Sequence, residues 1–330
     1  MNPFLEALDK ILQDHCTFAD VRRIEAGGSS SVLWQTVEQA GFLDLLLPEE
    51  QGGAALPLVD LFPILERLGR AAVPQPVAQS IVARALLAGC AGVPAGRLTL
   101  AMHIQRDPGG ASVSHCVPYG AVADHVLCCD GDDLALMSCA EATRVVVGDA
   151  RCLGATLHWG DATPLLRQPG GSAGLRAFAS AMAAALLSGA MQRTFAMALD
   201  YCNNRVQFGK QLGKFQAVQQ QLSVMAEHLL AGALAAESAF HTTGSTPAHL
   251  PSAMAKARTS EAAALVAATA HAVHGAIGMT DEYDLGLLTR RLHDWRISYG
   301  SEQYWNRVVG EQLMASGNGI VDFVRQERFA

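Results

Sequence analysis

The spacing of apolar residues changes period twice along this chain, and that change restricts the fold more than any single residue does. Up to about Gly92, Phe4, Leu8 and Ile11, then Leu58, Leu61, Leu65 and Leu68, recur at helical intervals. Pro48, Gly52-Gly53, Pro74 and Pro76 interrupt them. From about Leu98 to Leu166 short alternating or β-branched runs take over: Ala121–Cys129, Leu134–Ser138 and Thr143–Val147, bounded by Gly131-Asp132-Asp133 and Gly148-Asp149. From about Ala173 the helical period returns in longer elements. Phe215, Val218, Leu222, Met225 and Leu229 recur at intervals of 3 and 4, a narrow seam suited to a helix bundle, and Leu285, Leu288, Leu292 and Trp295 repeat it. A loop at Gly244–Pro247 separates two of these helices. The order predicts a mainly α protein with a small β domain: an N-terminal helical domain over 1–97, a reduced middle β domain over 98–172, and a C-terminal four-helix bundle over 173–330.

At 330 residues the chain is long enough for two or three domains with their own cores. Only 17% of residues are charged and 50% are hydrophobic, a lean surface that predicts large subunit interfaces. A net charge of −7, with no basic stripe, argues against a nucleic-acid partner. The eight cysteines show no CxxC spacing and read as reduced thiols packed as small hydrophobes, which fits the cytoplasm. The histidines lack ligand spacing, so no metal site is expected. Glu6, Asp9 and Asp14 make the N-terminus unlike a signal peptide, and Ala179–Met191 is apolar but short, so no membrane span is expected.

Two segments stand out in the third zone. Arg205-Val206-Gln207-Phe208-Gly209-Lys210 leads into Phe215-Gln216-Ala217-Val218-Gln219. His274-Gly275-Ala276-Ile277-Gly278-Met279-Thr280 runs through Glu282, Tyr283 and Asp284 to Arg290-Arg291. Each has an ordinary reading. Gly209 could cap a helix C-terminus beside a cation, and the glycines after His274 could serve a close-packed loop. Together, in this order, the segments resemble the helical-domain motifs of the flavin-dependent acyl-CoA dehydrogenases. Trp34, Gly41, the Leu47-Pro48-Glu49-Glu50-Gln51-Gly52-Gly53 turn and Glu66-Arg67-Leu68-Gly69-Arg70 resemble the N-terminal domain of that family. The resemblance covers nearly the whole chain.

That resemblance implies FAD as cofactor and α,β-desaturation of an acyl-CoA thioester as the reaction. It assigns Arg205, Gln207, Phe208, Gly275, Ala276 and Gly278 to the cofactor: the Arg205 guanidinium on the FAD pyrophosphate, Phe208 near its adenine-ribose end, and the Gly275–Gly278 backbone close to the diphosphate. A guanidinium fork suits phosphate oxygens, and in the family these contacts reach a neighbouring subunit's flavin. Ala272 stands where relatives usually carry a glutamine. The family's base is a glutamate that removes the α-proton from an apolar pocket. Most relatives place it just after the Arg-Arg stretch, where this chain has Gly300. A minority place it early in the helix leading to Arg205, near Ala179. Glu302 is the one weak candidate; if Ser301 starts a helix, it lies roughly 200° around the axis from Gly300. The family's segment lining the flavin ring has no match in Leu100–Asp107.

The resulting expectation is a catalytically incomplete subunit of a heteromeric acyl-CoA dehydrogenase, of the kind assembled as α2β2 heterotetramers on bulky substrates such as steroid side-chain CoA thioesters. Its partner would be a longer relative bearing the glutamate, and an electron-transfer acceptor would reoxidise the shared FAD. Two other readings stay open: a self-sufficient homomeric enzyme with an unusual base, and a non-enzymatic structural subunit.

Overall fold

The computed structural model describes residues 3–329. The first layer is helical: α1 (Pro3–His15), α2 (Phe18–Glu25), α3 (Ser31–Gln39), α4 (Leu58–Arg70) and α5 (Val77–Leu86). Thr17 starts α2 through a capping box with Asp20, which satisfies amides at the first turn. The Pro48–Gly53 segment forms a single 3₁₀ turn closed by Gly52 at φ +79°, as its turn chemistry requires.

Eight strands follow in two four-stranded sheets. One has the order β1 (Leu98–Ala101), β4 (His125–Asp130), β5 (Asp133–Ser138), β8 (Leu166–Gln168). The other runs β2 (Gln105–Arg106), β3 (Ser112–Val117), β7 (Ala155–Trp159), β6 (Thr143–Val146). The β1–β4 pair is parallel, with Leu98 opposite His125; the β4–β5 hairpin is antiparallel around Gly131. Leu127, Cys129, Leu134 and Leu136 join the helical core, whereas Val126, Cys128 and Met137 face the second sheet. This alternation ties the small domain to the bundle. All eight cysteines are free thiols.

The last layer is α6 (Ser172–Asn204), a hairpin of β9 (Val206–Gln207) and β10 (Lys210–Gln211), then α7 (Gln216–Ser238), α8 (His249–His274), α9 (Leu285–Ile297), α10 (Glu302–Ser316) and α11 (Ile320–Phe329). Helices α6 to α9 form the bundle. Both expected seams point inward over most of their length: Leu222, Met225, Leu229, Leu285, Leu288, Leu292 and Trp295 are buried, and Phe215 and Val218 at the start of α7 are half-buried. Where α6 crosses α4, a Cβ on Gly189 would lie 1.9 Å from the Glu66 carbonyl oxygen and one on Gly69 would lie 2.1 Å from that of Leu186. Two glycines thus bring the backbones together and join the N-terminal domain to the bundle.

The expectation that no segment is long and apolar enough to span a bilayer needs correcting. α6, and α8 with its following turn, both are, by length and composition. Alanine accounts for much of that apolarity, and α6 owes it to its place in the core: residues 177–191 of α6 are buried throughout.

Candidate functional site

A cavity of about 600 Å³ lies between the two sheets and α9. Leu100, Met102, Val113, Val117 and Ile297 supply apolar wall, and His103, His115, His293, Asp149 and Asp294 supply polar groups. The Leu100–Gln105 stretch, which lacks the family's flavin-lining pattern, therefore does line the cleft. Burial lowers the pKa of His103 and His293, and nearby Arg176 and Arg296 respectively push them the same way. Asp149 is held low by hydrogen bonds from Arg151. Asp294 is different. Burial raises its carboxyl to about 6 against the weaker pull of Arg291, one turn earlier on α9, and no hydrogen-bond donor reaches the carboxylate among the described residues.

Gly300 lies on the cavity wall just past α9. Its φ is +99°, and a Cβ there would sit 2.6 Å from Trp305 Nε1 and 2.8 Å from Tyr304 Cδ1. Trp305 is itself pinned, donating to the Tyr299 carbonyl at 2.9 Å. The loop is fixed from below by Lys256, fully buried in α8, whose Nζ donates to Ser260 Oγ (2.8 Å), the Arg296 carbonyl (2.7 Å) and the Gly300 carbonyl (2.9 Å). Burial pulls this amine down to about 7, while all three acceptors are satisfied together only by the ammonium form. A cation here also offsets the carbonyl end of α9. Ala179 is wholly buried inside α6 and does not line the cavity. Glu302 opens α10 and is gripped by Arg296, with Nε 3.1 Å from both carboxylate oxygens, which lowers its pKa. It faces a cation instead of the cavity, and a low pKa suits a structural anion.

The Arg205 and Gly275 segments lie elsewhere, at one end of the bundle. Arg205 ends α6, and the following residues form a two-residue hairpin with Lys210 paired to Gln207. Phe208 at φ +53° and Gly209 at φ +79° give a turn of the mirror-image type that such hairpins favour. Gly209 is therefore a hairpin residue and not a helix cap. Phe208 projects with 91% of its surface exposed, and the Arg205 guanidinium meets no acceptor among the described residues. Tyr201, one turn before Arg205, stacks on His274 at 4.5 Å between ring centroids, and Tyr283 packs 5.0 Å from His274. This trio joins the α6 end to the α8 end, so the two motifs share a surface. Gly275 (φ +64°) and Ala276 are exposed there, and Gly278 is buried. The Arg290-Arg291 pair instead grips Glu25 of α2 at 3.0 and 2.9 Å in a nearly solvent-free ion pair.

Residues 177–314 match the profile of the acyl-CoA dehydrogenase C-terminal domain. The chain is 31% identical over 293 residues to the acyl-CoA dehydrogenase IpdE2 of Mycobacterium tuberculosis, covering 87% of this chain and 89% of that protein. It is 32% identical over 265 residues to the protein of that name in Mycolicibacterium smegmatis, covering 79% and 81%. Among solved structures, a chain of the ChsE4-ChsE5 complex of M. tuberculosis superposes with a TM-score of 0.82 at 22% identity, over 94% of this chain and 96% of that one. A chain of the Tcur3481-Tcur3483 steroid ACAD superposes at 0.81 and 25% identity, with the same coverages. The chain belongs to the acyl-CoA dehydrogenase family.

Sequence reading did not pick out Asp294 or Lys256. A single Asp between His293 and Trp295 on a helix has no local signature, and only the cavity reveals it. For Lys256 the one available signal was its place in the apolar run Ala253-Met254-Ala255-Lys256-Ala257, where a solvated helix face would not put a lysine.

Proposed function

We propose that this chain is the base-less subunit of a heteromeric acyl-CoA dehydrogenase, completing the FAD site of a longer, glutamate-bearing partner. The observation that carries the reading is Gly300. The position most relatives give to the base has a backbone conformation that side chains rarely adopt and is closed by Trp305 and Tyr304. The chain has not merely lost a carboxylate there; it is packed for none.

The donor groups support the rest. FAD needs cations for its diphosphate, and this chain's own cavity offers Arg290, already held by Glu25, beside Asp149 and Asp294. The bundle end offers the opposite: Arg205 unpaired, Phe208 projecting, and an open backbone at Gly275, where an added Cβ would meet nothing within 4 Å. These groups suit a diphosphate and an adenosine reached from outside the chain. Bound FAD supplies hydride acceptance during α,β-desaturation. This chain's part is to neutralise phosphate with Arg205, cover the adenosine end with Phe208 and exclude water with the exposed rim of the bundle. Likeness to chains of two-protein complexes, one called a steroid ACAD, supports a heteromeric assembly and a bulky, steroid-type acyl-CoA.

The test is expression with and without a glutamate-bearing relative. The single chain is expected to show negligible acyl-CoA dehydrogenase activity, since loss of the base removes roughly 10²–10⁴-fold, and coexpression restores it. Robust turnover by the purified single chain would overturn the reading in favour of a self-sufficient enzyme.

A further inference from the structure

A second concave site lies on the N-terminal side of the bundle, sharing no lining residue with the cavity and including none of Arg205, Phe208 and Gly275. Its volume is about 510 Å³, and Arg67 and Arg70 of α4 and Arg193 of α6 line it, with Leu12, Phe18 and Asp9. We propose that these three guanidiniums form a binding site for a soluble phosphate-bearing small molecule.

Three cations share this wall with one acid. Asp9 is the sole carboxylate lining it, and its contact with Arg67 is long, 3.4 Å between Nε and Oδ1, with both side chains 41% exposed. Arg70 and Arg193 make no hydrogen bond or ion pair among the described residues. Glu66, the other acid nearby, is engaged through Oε1, which accepts from Ser188 Oγ at 2.8 Å and Gln192 Nε2 at 2.6 Å. Arg193 is held in place by the Phe18 ring, with its guanidinium carbon 5.4 Å from the centroid. Burial, then Arg67 and Arg193, act against the charge on Arg70, and Glu66 and Asp9 offset them more weakly. Three guanidiniums against two carboxylates, Asp9 and Glu66, leave this half-buried hollow with a net positive charge that the chain offsets only in part. A multiply charged anion compensates it. A tetrahedral phosphate has enough oxygens for several forks, whereas a single carboxylate satisfies one. Leu12 and Phe18 leave apolar wall beside the charges for the body of such a ligand.

Inorganic pyrophosphate is the probe, titrated calorimetrically into the purified full chain in the assembly it forms. Saturable binding is expected, weakening as salt rises. Arg70→Ala and Arg193→Ala should each weaken it at least tenfold. Arg307→Ala, an exposed cation on α10, should leave it unchanged. Asp9→Asn should tighten it several-fold, a gain that misfolding cannot imitate. Absence of saturable binding, equal loss in Arg307→Ala, or indifference to Arg70→Ala and Arg193→Ala would each overturn the site. Capture by phosphatidate vesicles without any affinity for pyrophosphate would overturn the soluble ligand in favour of a lipid headgroup. None of these outcomes depends on the heteromeric reading, which is scored by activity and flavin.

Discussion

At the scale of single residues, Gly300 and Asp294 decide what the cavity can do. Placing a glutamate at Gly300 should not supply a base. The φ of +99° and the 2.6 Å approach to Trp305 Nε1 oppose any side chain, and strain of this kind costs about 1–3 kcal/mol before the clash is counted. Gly300→Glu is therefore expected to lower the midpoint of thermal unfolding and to leave the isolated chain inactive; an active, equally stable variant would contradict the geometry. Asp294 makes a prediction about pH. Its folded pKa, about 6, lies above the ordinary 3.8 because the ionised form is desolvated. The folded state thus holds its proton longer than the unfolded state does. Stability is complete below about pH 4 and is lost as pH rises through 6, by at most ~3 kcal/mol. Asp294→Asn should stabilise the protein at pH 7.5 and have little effect at pH 4, a difference that urea unfolding at the two pH values (roughly 1 kcal/mol or more) measures directly.

At the scale of elements, the α4–α6 crossing and the β9–β10 hairpin have opposite roles. The crossing is structural. Gly189→Ala places a methyl 1.9 Å from the Glu66 carbonyl oxygen, so the helices must separate; overpacking of this sort costs about 1–3 kcal/mol, read as a lower unfolding midpoint. The hairpin is spare to the fold. Phe208 is almost wholly exposed, so Phe208→Ala should change stability by less than about 0.5 kcal/mol yet weaken flavin retention in the assembled complex. A variant that unfolds early, or that retains flavin fully, would remove the hairpin from the site.

At the scale of the whole molecule, Arg205 stands on the outside with no acceptor among the described residues, whereas Arg290 and Arg291 are paired with Glu25 within. If Arg205 serves a neighbour's FAD, a heterotetramer should hold two flavins for its four chains, which absorbance against protein concentration measures. Arg205→Ala should weaken FAD binding by about 1.5–3 kcal/mol, the range for a hydrogen bond to a charged group, or roughly ten- to a hundredfold, with assembly intact by sizing. One flavin per chain of either type would exclude the shared site.

The sequence by itself determined the layer order and the seams, because apolar periodicity is a local property that burial obeys: Leu222, Met225, Leu285 and Leu292 face inward as their spacing requires. It also singled out Gly300, as the position to which the family resemblance assigns the base, without knowledge of the fold. It placed the strand at Ala121–Cys129, where the structure has His125–Asp130, because strand ends depend on partners such as β1 and β5. Only the tertiary structure decided that Gly300 is closed by Trp305, that Glu302 belongs to Arg296, and that Tyr201 and His274 bring the two motifs to one surface. Each of these is a contact between segments, set by helix packing. The raised pKa of Asp294 and the lowered pKa of Lys256 are likewise consequences of dielectric surroundings, which the local pattern of residues does not encode.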